Sequence, residues 1–204
     1  LHLIKKRKFK FYLFDVNKNT KTYISDLLLS KHFKFNEVAL TNKNGTAVFN
    51  FNRFFESSGS SLSTLFKDDA KWVFSRKLIL KILLQSTKDY IKYKVYTSTL
   101  DKFVKKNNIK SIDILKVDIE GSEYEFLKGT KNTLKKSKIK IILIEISDRK
   151  KNYNKKEKKI ISFLEKKNFI FLKKHMNHSV ALFSNAKSGD YLFINKKNMN
   201  NQAF

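Results

Sequence analysis

At 204 residues and 41% hydrophobic content, the chain is long enough to bury one core and too apolar to be a disordered tail. Its formal charge of +26 would attract polyanions, yet only four of its 44 basic residues are arginine (Arg7, Arg53, Arg76, Arg149). Arginine is the residue that reads bases and grips phosphate bidentately. The lysine excess, with no proline, is the composition an AT-rich genome produces, and the absence of cysteine excludes disulfides, thiolate catalysis and a cysteine zinc site.

No apolar run approaches the ~20 residues of a membrane span. Leu1 to Lys8 has no secretory pattern, so a cytoplasmic location is expected. Phe9 to Phe14 is an aromatic strand ending at Asp15, and residues 17–30 predict a helix with Tyr23, Ile24, Leu27 and Leu28 on one face. Phe35 to Leu40 is a short strand; Asn42 to Gly45 is a turn; Thr46 to Phe51 alternates as the next strand. A serine-rich loop falls within 53–70, and Lys71 to Gln85 has helical spacing.

Tyr93 to Tyr96 reads as a strand, and Ser98 with Asp101 has the spacing of a capping box for a helix through Lys106. Ile112 to Val117 is an apolar run broken only by Asp113 and Lys116, as in the middle of a parallel sheet. Gly121 turns the chain, and Ser122 with Glu125 repeats the capping-box spacing before a helix buried through Tyr124, Leu127 and Leu134. Ile139 to Ile146 is a further strand ending near Glu145, and Glu157 to Lys167 a helix buried through Ile160, Ile161 and Leu164. Phe169 to Leu172, Val180 to Phe183 and Tyr191 to Ile194 close the sheet. Strands alternating with helices predict an α/β fold, mostly parallel with a terminal antiparallel strand. Residues 1–195 form one expected domain and 196–204 a polar tail.

Apolar strands that end in carboxylates put charge at one rim of the sheet, where open α/β sheets bind ligands. The block Val117-Asp118-Ile119-Glu120-Gly121-Ser122-Glu123 follows Thr99-Leu100-Asp101 and precedes Leu127-Lys128-Gly129 and Glu145. Together these resemble the FkbM family of S-adenosylmethionine-dependent methyltransferases. Phe14-Asp15 stands where that family has Phe-Glu-Pro, and Ala39-Leu40 before Gly45-Thr46 keeps its order. The resemblance covers about residues 9–146.

It implies a Rossmann-like class I methyltransferase sheet and S-adenosylmethionine as cofactor. It also implies Asp15, Ala39 and Asp118 on the cofactor, and Asp118 and Glu120 at the transfer end. A carboxylate can accept hydrogen bonds from both hydroxyls of a ribose, although Asp15 can equally cap the helix after it. Two carboxylates as close as Asp118 and Glu120 repel, which suits one of them to act as a base. Alternatively, Glu120 and Glu123 complement a helix dipole, a contribution of about 0.3–1 kcal/mol each. The expected reaction is O-methylation of a sugar, polyketide or similar small hydroxylated acceptor.

The family's first strand and Gly-rich loop are not found before Phe9. An amino-terminally truncated chain that binds S-adenosylmethionine poorly by itself is therefore expected, with strand edges left bare. The alternatives are a basic nucleic-acid-binding protein and an inactive α/β fragment. Four scattered histidines form no His-x-x-x-His pair, and no metal is expected.

Overall fold

The computed structural model describes residues 9–17, 19–52, 90–119, 121–177 and 186–199. The predicted serine-rich loop, the helix over Lys71 to Gln85, the strand over Val180 to Phe183, and Glu120 lie outside them.

β1 (Phe11–Asp15) pairs in parallel with β2 (Phe33–Glu37), and Asp15 lies opposite Glu37. Phe11 stacks on Phe33 with ring centroids 4.6 Å apart. Between the two strands, α1 (Thr20–Tyr23) and α2 (Ser25–Leu28) replace the one helix predicted over 17–30. Neither buries a residue. A short amphipathic stripe becomes a long helix only when a partner surface covers it, and the stripe here stays half-buried at best.

β3 (Ala39–Leu40) runs parallel to β5 (Tyr90–Ser98), which also pairs antiparallel with β4 (Gly45–Asn52). Gly45 opens β4 at φ +142°, a conformation L side chains rarely adopt. The inner face of this hairpin buries Phe49 and Val95 with Val16, while Val48 and Tyr96 on the outer face are exposed.

The third sheet carries the main core. Its strands are β6 (Ile112–Val117), β7 (Ile139–Arg149), β8 (Phe169–Asn177) and β9 (Ala186–Asn195), in the order β6-β7-β9-β8. Only β6 and β7 are parallel there. The helices are α3 (Leu100–Lys106), α4 (Glu123–Lys128), α5 (Lys131–Lys135), α6 (Lys150–Glu165) and α7 (Lys196–Met199). Alternate residues of β7 (Ile142, Ile144, Ile146) are fully buried against Leu127, Ile160 and Leu164.

The result is a mixed α/β fold, but not the single, mostly parallel sheet predicted. Among the described residues, three strand pairings are parallel and three antiparallel, divided over three sheets. Among the described residues β1 pairs only with β2 and, on its side of the sheet, β6 only with β7. Among the described strands β6 stands at the edge of its sheet rather than in the middle, and Ile114 is 65% exposed. The bridge between the two groups is α3. Its Phe103 ring meets Tyr12 and Phe14 of β1 edge-on, at 5.3 and 4.7 Å. Leu100 and Val104 of the same helix join Val117 of β6 in the main core.

Two further boundaries shift. β7 runs on to Arg149, which puts Glu145 inside the strand, opposite Asp190, rather than at its end. The expected polar tail starts as a helical turn, because Asn195 is buried, donates to Ile139 O at 3.2 Å and accepts from Lys197 N at 3.1 Å.

Candidate functional site

Asp118 follows the last residue of β6, at the carboxyl end of a parallel strand. Its side chain is 39% exposed and, among the described residues, its carboxylate meets only the more exposed Lys116 ammonium, at 3.3 Å. Gly121, at φ +105°, reverses the chain immediately afterwards, a backbone role for which glycine is suited.

The reversal is clamped from beneath. Glu123 is fully buried at the start of α4, and one carboxylate oxygen accepts from Gly121 N–H at 2.7 Å. Lys156 Nζ lies 2.7 Å from the other oxygen and donates to Gly121 O at 2.8 Å and Ser147 O at 2.7 Å. The ammonium thus ties α6, β7 and the turn after Asp118 together. Burial pushes the Glu123 carboxyl above its usual range, and Lys156 opposes that shift. Sequence reasoning placed Glu123 on the helix dipole and overlooked Lys156. A signal was present: Lys156, Ile160 and Leu164 recur every four residues, so the lysine sits on the buried stripe of α6. A cation there requires a buried acid.

Both predicted capping boxes are corrected. Thr99, not Ser98, caps α3, its hydroxyl accepting from Lys102 N at 3.1 Å. Asp101 reaches instead across to α5, accepting from Asn132 N at 2.9 Å, Thr133 N at 2.7 Å and Thr133 Oγ1 at 2.6 Å. The Thr-Leu-Asp motif therefore locks two helices to each other. Ser122 makes no side-chain cap, because Glu123 already holds the turn, and Glu125 instead pairs with Lys128 and Asn42. Gly129 ends α4 against the Thr41 carbonyl, which an added Cβ would approach to 2.1 Å. No larger residue fits there.

Asp15 is the last residue of β1. One of its oxygens accepts from Val16 N at 2.6 Å and Asn17 N at 3.0 Å, and the other from Thr20 Oγ1 at 2.5 Å. This is a local turn ahead of α1 and not the helix cap held open as the alternative to ribose binding, because α1 starts after Asn19 with no side-chain cap. It occupies both acceptor positions of the first oxygen and leaves one on the second. Ala39 opens β3, half-buried and opposite Thr97. Asp15 and Asp118 thus both stand at strand carboxyl ends, in separate sheets that α3 joins. Among the described residues, no three His, Asp or Glu side chains converge as metal ligands, and no helix is long and apolar enough to cross a membrane.

The Asp15 and Asp118 carboxylates both stand at the carboxyl ends of parallel strands, the position at which open α/β sheets generally bind ligands. The family follows from the sequence as a whole: the model of the methyltransferase FkbM domain matches residues 2–171, and the chain belongs to that family. Among solved structures it is similar to the methyltransferase FkbM from Methylobacillus flagellatus KT, with 10% identity and a TM-score of 0.49. That match takes in 93% of this chain and 39% of the other, so the chain spans well under half of that protein's length. Comparison with curated proteins finds no match.

Proposed function

We propose that the chain is the catalytic part of an S-adenosylmethionine-dependent O-methyltransferase acting on a sugar, polyketide or similar hydroxylated small molecule. Asp118 is the proton acceptor in this scheme. One observation carries the assignment. Of the described acids around the β6–α4 turn, Glu123 and Glu125 are spent on internal contacts, as is Asp101 nearby, whereas Asp118 is part-exposed beside the exposed Lys116. Glu120 joins it as a second carboxylate on sequence grounds alone.

The residues present fit the cofactor in acceptor count. Asp15 keeps one free acceptor position for a ribose hydroxyl, and the Thr20 hydroxyl, anchored on the same carboxylate, offers its own lone pairs to the second. Ala39 presents only a methyl group and leaves room for a flat base. When bound, S-adenosylmethionine supplies an electrophilic methyl, its sulfur leaving with the C–S electron pair as the acceptor oxygen forms the new C–O bond. Asp118 takes the proton from that oxygen and holds it in line, a contribution of typically 10²- to 10⁴-fold. The Glu123–Lys156 clamp keeps the Asp118 turn from drifting, which matters because small misplacements are costly in rate.

Two measurements on the full-length protein test this. Titration calorimetry with S-adenosylmethionine should show binding that weakens at least tenfold in Asp15→Ala; unchanged affinity removes Asp15 from the cofactor site. Transfer of labelled methyl to hydroxylated sugars should fall at least 100-fold in Asp118→Asn with cofactor affinity intact. A smaller loss excludes Asp118 as the base.

A further inference from the structure

The turn from β3 into β4 carries the chain's one Asn-Gly pair, Asn44-Gly45, with both residues exposed. The oxygen of the Asn44 side chain accepts from Thr99 N–H at 3.3 Å and from the Ser98 hydroxyl at 3.3 Å. That hydroxyl has one other acceptor, Thr99 O at 3.4 Å. Only the oxygen of an amide can accept from a backbone N–H, so the Thr99 contact fixes which way the Asn44 amide points. Around the next residue there is open space, since a Cβ built on Gly45 would meet nothing within 4 Å. Gly45 is also the first residue of β4, paired with Thr97, so its nitrogen sits on the end rung of the ladder, where strands fray.

This arrangement suits attack of a backbone nitrogen on the side-chain amide that precedes it. A side chain at position 45 would crowd that nitrogen, and glycine does not. Donors held on the Asn44 oxygen stabilise the negative charge that develops there as its carbon is attacked, in the manner of an oxyanion hole. Asn42, in the same turn, lacks these features: its amide donates to Glu125, and Lys43 follows it.

We propose that Asn44 is a self-modification site assisted by Ser98 and Thr99. The Gly45 nitrogen gives its proton to solvent and bonds to Asn44 Cγ. The bond from Cγ to the side-chain nitrogen then breaks, and that nitrogen takes up a proton and leaves as ammonia. Water opens the resulting succinimide at either carbonyl, leaving aspartate or isoaspartate at position 44. Aspartate keeps an oxygen on Thr99 N–H. Isoaspartate puts an extra carbon into the main chain just before β4, which displaces Gly45 from Thr97. The hairpin is thereby loosened from the start of α3, the helix that joins β1 to the main core. None of this depends on the reaction proposed above.

Peptide mapping by mass spectrometry tests it, after the full-length protein has been held in warm, mildly alkaline buffer beside a synthetic peptide of residues 41–49. Asn44 should convert to both products in the folded chain while Asn42 stays intact. Ser98→Ala should slow the conversion by about 2- to 10-fold, the effect of one lost hydrogen bond on the attacked carbonyl. Amide exchange at Thr99 should quicken in the isoaspartyl fraction. An Asn44 that stays intact in the folded chain after the peptide has converted overturns the proposal, as does a rate unmoved by Ser98→Ala. Unchanged exchange at Thr99 refutes the loosening of the hairpin.

Discussion

Lys156→Met is the sharpest test of how the turn after Asp118 is held. The substitution keeps the length and apolar stem of the side chain and removes the ammonium. It strands a fully buried Glu123 carboxylate and takes the donor from Gly121 O and Ser147 O. Removing one partner of a buried ion pair costs about 3–5 kcal/mol, because the remaining charge is left uncompensated in a poorly polarisable interior. Set against a domain stability of about 5–15 kcal/mol, that is a large share. With a urea slope of about 1–3 kcal/mol per molar, the unfolding midpoint read by circular dichroism should fall by roughly 1–5 M.

The pH dependence separates this cause from simple loss of packing. Burial raises the Glu123 carboxyl above 4.5 in the folded protein. A raised acid favours folding below its unfolded value and loses that contribution as pH rises through the folded one. Without Lys156 the carboxyl shifts further up, so the deficit of the variant should be largest at neutral pH and shrink on acidification. The double variant Glu123→Gln with Lys156→Met should lose less than Lys156→Met alone, since a neutral amide still accepts from Gly121 N–H. A deficit under about 1 kcal/mol, or one that stays constant with pH, would refute the clamp.

Gly129→Ala should destabilise by about 1–3 kcal/mol in thermal melts, because its Cβ would be driven into the Thr41 carbonyl; an unchanged melting temperature would show that the two segments separate freely. Asp101→Ala removes three hydrogen bonds to the start of α5 and should cost about 0.5–2 kcal/mol, with faster amide exchange at Asn132 and Thr133 than elsewhere. Glu157 is raised by burial, but hydrogen bonds from Lys174 and Tyr191 outweigh this and hold it below its usual 4.5. Its contribution is therefore present above that value and lost as pH falls through the folded one, and acid titration of Glu157→Gln should show a shallower loss of stability below pH 4.5 than the parent chain.

Local pattern alone identified most strands, the Asn42–Gly45 turn, the reversing role of Gly121, and the inward faces of the helices holding Leu127 and Ile160. It could do so because strand and helix periodicity and glycine's backbone freedom act within a few residues. The family motif was legible for the same reason, as a short run of acids and glycine around Val117. Partners distant in the chain were not legible. Asp101 looked like a cap for its own helix and instead holds one thirty residues on; Glu123 looked like a dipole complement and instead anchors Lys156; Gly129 is dictated by the Thr41 carbonyl. The division into three sheets was equally invisible, since strand pairing depends on which edges meet and not on the strands' own residues. Sequence alone determined which segments carry charge to the ends of strands. Only tertiary structure decided which of those charges are spent in the interior and which stay open to solvent, because desolvation and pairing are set by whatever packs against each group.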